Sequence, residues 1–188
     1  TQKHIDYLTY FPFCNNSMKN FKYINIWNNI PIKLNINLSQ YQLLNIENLI
    51  INYISKCNNI VDLSLVLCLN KKILNVIEEY IPPNIKKLCL ADYFNGIQRD
   101  YIEFNSSKII NIKNIYLSQL LIKKSSNFSN LTSLSLYNVY IEELTDEHKL
   151  QLSNIKNLKI YASLILNDLT FLKNNEILEF DNINLTQE

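Results

Sequence analysis

Side chains that commonly carry out acid–base or nucleophilic chemistry are few in this 188-residue chain, and they lie far apart. The two histidines are His4 and His148, and His148 lies within EELTDEHKL (142–150), which is typical of a solvated helix start. The acidic residues of that segment have no second cluster that would complete a metal site. With Gly96 as the only glycine, a glycine-rich phosphate loop is excluded. The sequence therefore predicts no catalytic site, no metal and no cofactor.

The four cysteines, Cys14, Cys57, Cys68 and Cys89, show no CxxC spacing, which argues against a zinc or redox motif. We expect free thiols. A disulfide between Cys14 and Cys57 in an oxidising compartment is the alternative. No neighbouring His or Arg in the sequence would activate Cys89, so the cysteines add no candidate nucleophile.

The composition is that of a folded chain with little global charge. Hydrophobic residues make up 47% of the chain and charged residues 19%, which excludes disorder. The formal net charge of +1 creates no field that would attract nucleic acid or a membrane surface. No apolar run approaches the roughly 18 residues that a membrane helix needs. We therefore expect neither a nucleic-acid partner nor a membrane span.

The compartment stays open. Because the chain starts at Thr1, it is either a trimmed chain or a mature protein whose targeting peptide has been removed. An excess of Asn-x-Ser/Thr glycosylation sites favours secretion; the sites are Asn15, Asn37, Asn105, Asn127, Asn130 and Asn184. A secreted or host-facing location and a cytoplasmic one are both retained. Low glycine with high Asn, Ile and Lys is typical of an AT-rich genome, such as that of a parasite, an amoeba or a large virus.

A seven-residue motif recurs along the chain and determines its organisation. Its form is Asn-φ-x-x-φ-x-φ, where φ is apolar. The segments are NFKYINI (20–26), NIVDLSL (59–65), NIKKLCL (84–90), NIKNIYL (111–117), NLTSLSL (130–136), NIKNLKI (154–160) and NNEILEF (174–180). The first six match in full, whereas the last has Asn175 at its first φ position. Since φ-x-φ alternates with the period of a strand, each segment predicts a turn followed by a short strand. Asn suits the turn because it tolerates the left-handed region.

The motif and its spacing resemble the leucine-rich repeat. The φ triplets start at residues 21, 60, 85, 112, 131, 155 and 175, so that all but the first spacing lie near the family's repeat of about 20–29 residues. The closest matches to L-x-x-L-x-L-x-x-N/C-x-L are FKYINIWNN (21–29), IVDLSLVLC (60–68) and LTSLSLYNVYI (131–141). One stretch, IPPNIKKLCLADYFNGI (81–97), is similar to FNIP-type repeats.

The resemblance implies an α/β solenoid with a curved parallel sheet on the concave face and helices and loops on the convex face. Residues 1–20 are then an N-terminal flank or cap, and 21–188 form a leucine-rich-repeat domain of about seven irregular repeats. Cys68 fills a position that the family buries. At the other Asn/Cys positions the chain departs from the pattern after Asn29, with Tyr93, Leu120, Val139, Ser163 and Ile183, so no continuous asparagine ladder is expected.

Helices are predicted in three of the segments between strands. Helical spacing of apolar residues predicts a helix over 40–56 and a second over 71–80 that stops at Pro82-Pro83. Thr145 is expected to cap a third helix. Strict alternation in IKLNINL (32–38) predicts an additional strand.

The outward residues of the strands are the candidate site. They are rich in Tyr, Asn and Ser, and aromatic side chains are typical anchors of protein interfaces. We therefore expect a protein partner on the concave face, bound by Tyr23, Trp27, Asn114, Tyr116, Tyr137, Asn157, Lys159 and Tyr161. The alternative is that these tyrosines only cover a sheet surface, for which they have good propensity.

Four lysines follow the first φ residue of their repeats, namely Lys22, Lys86, Lys113 and Lys156. Aligned repeats would make them a basic stripe, but a solvated edge that blocks unwanted strand pairing is the favoured interpretation. Two further functions stay open. The chain ends at DNINLTQE (181–188) without a polar cap, which allows a homo-oligomer that stacks through its last repeat. It is also compatible with the substrate-recognition part of an adaptor.

Overall fold

The computed structural model describes residues 32–37, 46–92, 101–161 and 170–181. The chain divides into two compact units, residues 1–95 and 96–188, which we treat separately. The flank 1–20, the predicted strand at 20–26 and the candidate residues Tyr23 and Trp27 lie outside the described residues.

The first unit contains three parallel strands, β1 (Ile32–Asn37), β2 (Ile60–Leu67) and β3 (Lys87–Asp92), with β2 in the middle. Leu63 of β2 is in register with Leu34 on one side and Leu88 on the other, and all three are buried. Aligned leucines of this kind remove a continuous apolar column from water, which stabilises the stacking of one strand on the next. The predicted additional strand is therefore present over Ile32–Asn37.

Helices connect the strands of the first unit. Helix α1 (Ile46–Asn52) is followed by a 3-10 turn (Ile54–Lys56), and helix α2 (Lys71–Tyr80) has its predicted bounds. Asn70 caps α2 by accepting a hydrogen bond from the Ile73 amide at 2.9 Å. The helix ends where Ile81 becomes extended, as expected for a residue before proline. No described helix has the length and apolar character required to cross a membrane.

The second unit also contains parallel strands, but most of the segments that connect them are shorter than those of the first unit. Its strands β4 (Asn114–Ser118), β6 (Ser133–Tyr137), β8 (Asn157–Tyr161) and β9 (Ile177–Asp181) are adjacent in that order, and the pairs β4–β6, β6–β8 and β8–β9 are parallel. Two short strands, β5 (Leu121–Ile122) and β7 (Tyr140–Ile141), form a separate parallel pair. Helix α3 (Asp146–Ser153) precedes β8. The α/β class and the parallel strands agree with the prediction.

In the five motifs from residue 84 onward the strand begins three residues after the leading Asn, whereas β2 begins one residue after Asn59. In the five complete motifs from 59 to 160 the φ residues are all buried; they are Ile60, Leu63, Leu65, Ile85, Leu88, Leu90, Ile112, Ile115, Leu117, Leu131, Leu134, Leu136, Ile155, Leu158 and Ile160. The last motif differs, because Asn175 replaces the first apolar residue and donates to the carbonyls of Leu152 and Ile155. An amide here hydrogen-bonds the neighbouring repeat instead of packing against it.

The predicted backbone role of the leading asparagines is wrong within the described ranges. Within the described ranges, Gln119 (φ 57°) and Asn138 (φ 52°) are the only non-glycine residues with a positive φ angle, and each directly follows a strand. Their amides donate across to the next strand, Gln119 to the Tyr137 carbonyl and Asn138 to the Tyr161 carbonyl, each at 2.9 Å. The residue in the left-handed region therefore follows the strand rather than preceding it.

Helix α3 begins at the predicted cap, but the prediction that His148 is solvated is wrong. Thr145 accepts from the His148 amide at 3.2 Å, while the His148 ring accepts from the Thr145 amide at 3.4 Å. The ring is 1% exposed, because it packs 5.9 Å from the Phe128 ring and its Nε2 lies 2.8 Å from the Ser126 carbonyl oxygen. His148 thus closes the cap and extends the stack of Phe104 on Phe128.

Candidate functional site

The candidate site is the strand face of the second unit that points away from the buried φ residues. We call it the tyrosine face. It consists of Asn114, Tyr116 and Ser118 of β4, Ser133, Ser135 and Tyr137 of β6, Asn157, Lys159 and Tyr161 of β8, and Ile177, Glu179 and Asp181 of β9. Because strand residues alternate between two faces, the burial of the φ residues forces these side chains onto the other side.

The parallel register arranges the tyrosine face in three rows that cross the strands. The first row is Asn114, Ser133, Asn157 and Ile177; the second is Tyr116, Ser135, Lys159 and Glu179; the third is Ser118, Tyr137, Tyr161 and Asp181. Neighbours within a row lie on strands about 4.8 Å apart. Six of the eight predicted partner-binding residues therefore share one face, although Asn114 and Asn157 are separated by a strand.

The centre of the third row is aromatic. The rings of Tyr137 and Tyr161 have centroids 6.4 Å apart at an interplanar angle of 44°. Tyr137 is 44% exposed, whereas Tyr161 and Tyr116 are half-buried. Tyr116 lies in the second row, so it is not part of the same ring pair. Tyr137 is thus the most accessible of the three tyrosines, and the contacting ring pair lies on the neighbouring strands β6 and β8.

Glu179 ties the second row to the third. Its Oε1 accepts from Lys159 Nζ at 2.7 Å, and its Oε2 accepts from the Tyr161 hydroxyl. The bonds from Lys159 and Tyr161 lower the pKa of Glu179 below its usual value. The bond to Glu179 raises the pKa of Lys159, and likewise that of Tyr161. These contacts hold the Tyr161 ring in one orientation.

Lys159, one of the predicted partner-binding residues, forms an ion pair within the face. Its ammonium group is engaged by a neighbouring carboxylate and is not available as a lone positive group. Asp181, the next outward residue after Glu179, is exposed. One lysine against two carboxylates gives the tyrosine face a formal charge of −1. The sequence pattern placed Glu179 and Asp181 outward, but only the β8–β9 register reveals their neighbours.

The corresponding strand face of the first unit has a different chemistry. It carries Lys33, Asn35 and Asn37 of β1, Asp62, Ser64 and Val66 of β2, and Lys87, Cys89 and Ala91 of β3. None of these residues is aromatic. Two lysines against one aspartate give this face a formal charge of +1. Lys33, Asp62 and Lys87 occupy one row, so that charges alternate from strand to strand.

The described cysteines have thiols that are poor nucleophiles. Burial raises the pKa of Cys89, and it also raises the pKa of Cys57 and of Cys68. Cys57 is buried and free, and its thiol donates to the Tyr53 carbonyl at 3.1 Å. Cys14 lies outside the described residues. Cys68 was expected in the core but is only half-buried, because Leu67 rather than Cys68 points inward at the end of β2.

The predicted lysine stripe is interrupted in the second unit. The position after the first φ residue holds Lys113, Thr132, Lys156 and Glu176 in successive repeats. Lys156 pairs with Glu176 at 2.8 Å, and Lys113 Nζ donates to the Asn130 carbonyl at 3.1 Å. Lys156 is therefore engaged by a carboxylate and Lys113 by a backbone carbonyl, and a role of these lysines in blocking strand pairing stays a prediction. Across the ranges that the structure describes, no three His, Cys, Asp or Glu residues are grouped so that they could hold a metal ion.

Comparison of the chain with models of known protein families, with characterised proteins and with solved structures finds no match. The site must therefore be interpreted from its own geometry.

Proposed function

We propose that the chain is a non-catalytic protein-binding module and that the tyrosine face is its binding surface. The observation that carries this proposal is the pair of tyrosine rings, Tyr137 and Tyr161, on neighbouring strands of a face whose other residues, apart from Tyr116 and Ile177, are polar. Tyrosine supplies a large contact area with few rotatable bonds, and its hydroxyl adds a hydrogen bond.

The fixed position of the Tyr161 side chain favours a binding role for the tyrosine face over the alternative that its tyrosines only cover the sheet. A tyrosine that only covers a sheet needs no fixed ring position, yet Tyr161 is held by Glu179, which is held in turn by Lys159. A side chain that is already ordered loses less entropy when a partner binds. The three described strands of the first unit also form a parallel sheet, and none of their outward residues is aromatic.

We also infer that each unit is part of a leucine-rich-repeat type of solenoid. The buried φ triplets, the parallel strands and the short spacing between β4, β6, β8 and β9 support this inference. On this architecture the tyrosine face is the concave face, where repeat proteins present extended binding surfaces. Small-angle X-ray scattering of the chain tests the inference, since a compact sphere of this mass would contradict it.

Site-specific photo-cross-linking tests the proposed binding surface. A benzoylphenylalanine at position 137 lies on the tyrosine face, and one at position 140 is the matched control, because Tyr137 and Tyr140 are 44% and 41% exposed. In an extract of the organism that makes the chain, discrete adducts are expected from position 137. Unlabelled chain should compete them away, whereas unlabelled Tyr161→Ser chain should compete poorly. Identical adducts from both positions would contradict the proposal.

Self-association through β9 is a second candidate function. Ile177 and Leu178 of this strand are 47% and 38% exposed, whereas Leu158, the register partner of Leu178 on β8, is 0% exposed. A second copy stacking on β9 would bury them. Light scattering over a range of concentrations measures the effect. A mass that rises with concentration and returns to that of a monomer in Leu178→Lys supports stacking, and a monomer throughout removes it.

A further inference from the structure

We propose that the third row of the tyrosine face binds a cationic side chain of the partner, and that this side chain is arginine. The inference rests on the proposed function, because it names the chemistry that the binding surface recognises. Three residues carry it, namely Tyr137, Tyr161 and Asp181, which follow one another on β6, β8 and β9.

The register places a negative group beside the ring pair. Tyr161 is the partner of Tyr137 on one side and of Asp181 on the other. With strands about 4.8 Å apart, a group resting over Tyr161 reaches both neighbours. A cation in that place would meet the faces of aromatic rings, which attract positive charge, and a carboxylate at its flank.

The charges of the surrounding residues favour a cation over an anion. Lys159 is the one positive group of the tyrosine face, and it lies 2.7 Å from Glu179. Glu179 uses one oxygen for Lys159 and the other for the Tyr161 hydroxyl. This internal pair is neutral, so the remaining charge of the face is that of exposed Asp181. An anionic ligand would face a carboxylate with no uncommitted lysine on this surface.

Arginine fits this row better than lysine. A guanidinium group is planar, so it can stack on one ring of the Tyr137–Tyr161 pair and still direct two N–H groups at the Asp181 carboxylate. An ammonium group is a compact, strongly hydrated charge that makes neither contact as well. The row therefore distinguishes the two cations by shape.

The test is a titration of the 15N-labelled chain followed by NMR. The probes are three blocked tripeptides, glycyl-X-glycine with X as arginine, lysine or citrulline; citrulline keeps the shape of arginine but has no charge. The arginine peptide should shift the amide signals of Tyr137, Tyr161 and Asp181 in a saturable manner. The citrulline peptide should bind at least about fivefold more weakly, as expected for the loss of a cation–aromatic contact and an ion pair. The lysine peptide should lie between them.

Matched substitutions locate the effect. Asp181→Asn and Tyr137→Ser should each weaken arginine binding by about threefold or more. Asp146→Asn is the control for an exposed carboxylate, and Tyr140→Ser is the control for an exposed tyrosine; both should retain the wild-type affinity. Should a variant fail to fold, the comparison of arginine with citrulline on the wild-type chain still decides the question.

Equal binding of the arginine and citrulline peptides, full affinity in Asp181→Asn, or signal changes confined to β5 and β7 would each overturn the inference. The result separates cleanly from the proposed function. Specific adducts from position 137 without arginine binding would leave the protein-binding surface in place and remove its arginine preference. Absence of both would remove both proposals.

Discussion

The two units have similar buried interiors, but the described strand faces differ in charge and in side-chain type. In both, leucines and isoleucines of parallel strands form buried columns, such as Leu63 with Leu88 and Leu134 with Leu158. The outward residues share no such regularity. The outward residues of the described strands β1 to β3 are small or charged, with a formal charge of +1, whereas those of β4, β6, β8 and β9 include tyrosines and have a formal charge of −1.

This difference teaches which positions the fold constrains. A buried φ residue contacts the repeats on both sides, so its type is restricted by packing. An outward residue contacts only its row, so it can differ from one unit to the next without disturbing the stack. The surface that differs most between the units is therefore the better place to look for recognition, and that surface is the tyrosine face.

The largest effect is expected from breaking the shared interior. Leu65→Ala in β2 and Leu136→Ala in β6 each remove a fully buried side chain at the equivalent φ position. Each should lower the free energy of unfolding by about 2–5 kcal/mol, the range for a buried leucine in a packed core. Urea denaturation monitored by circular dichroism measures both. A loss below 1 kcal/mol in either variant would show that the two interiors are not equivalent.

The repeated motif made much of the fold predictable, because each apolar triplet contains the period of a strand. The helix 71–80 was predictable for a similar reason, since its apolar spacing ends at a proline pair. The positive φ angles at Gln119 and Asn138 were not, because neither residue type specifies that region as glycine does. Turn geometry here is imposed by the bonds to the next strand.

The features of the site that could not be predicted from the sequence are side-chain contacts between one repeat and the next. His148 looked solvated because its near neighbours are charged, yet its ring packs on Phe128 from the preceding repeat. The ion pair of Lys159 was not predictable, because Glu179 lies a full repeat away in the sequence. Alternation predicted which residues point outward, but only register determines which of them touch.

The second-largest effect is expected at His148, a polar side chain that is 1% exposed in the second unit. His148→Ala should lower the free energy of unfolding by about 2–3 kcal/mol, because it leaves a cavity beside Phe128 and removes the partner of the Ser126 carbonyl. Leu150→Ala, an exposed change on the same helix, is the control and should fall within about 0.5 kcal/mol of wild type. Thermal and urea unfolding measure both, and equal losses would contradict the buried role of His148.

Smaller effects are expected where helices of the two units begin. Asn70→Ala and Thr145→Ala each remove a side-chain cap and should lower the free energy of unfolding by about 1 kcal/mol. Asn70→Ser and Thr145→Ser retain an accepting oxygen and should restore most of the loss. Urea denaturation of the four variants tests the comparison, and serine variants as unstable as the alanine ones would show that the caps are not the cause.

The smallest effect concerns the charged contacts of the tyrosine face. Since the pKa of Glu179 is lower in the folded chain than its usual value, its ionisation stabilises the fold above the unfolded pKa of about 4.3, and this contribution disappears as the pH falls through the folded pKa. Lys159 behaves in the opposite sense, because its pKa is raised: its contribution is present below about 10.4 and is lost as the pH rises through the folded pKa. In Glu179→Gln we therefore expect a shallower fall in melting temperature between pH 5 and pH 3 than in wild type. Glu147→Gln, on helix α3 away from this face, is the matched control. An unchanged slope in Glu179→Gln would mean that the bonds which orient Tyr161 contribute nothing to stability in solution. The preorganised surface that distinguishes the second unit from the first would then depend on the tyrosine rings alone.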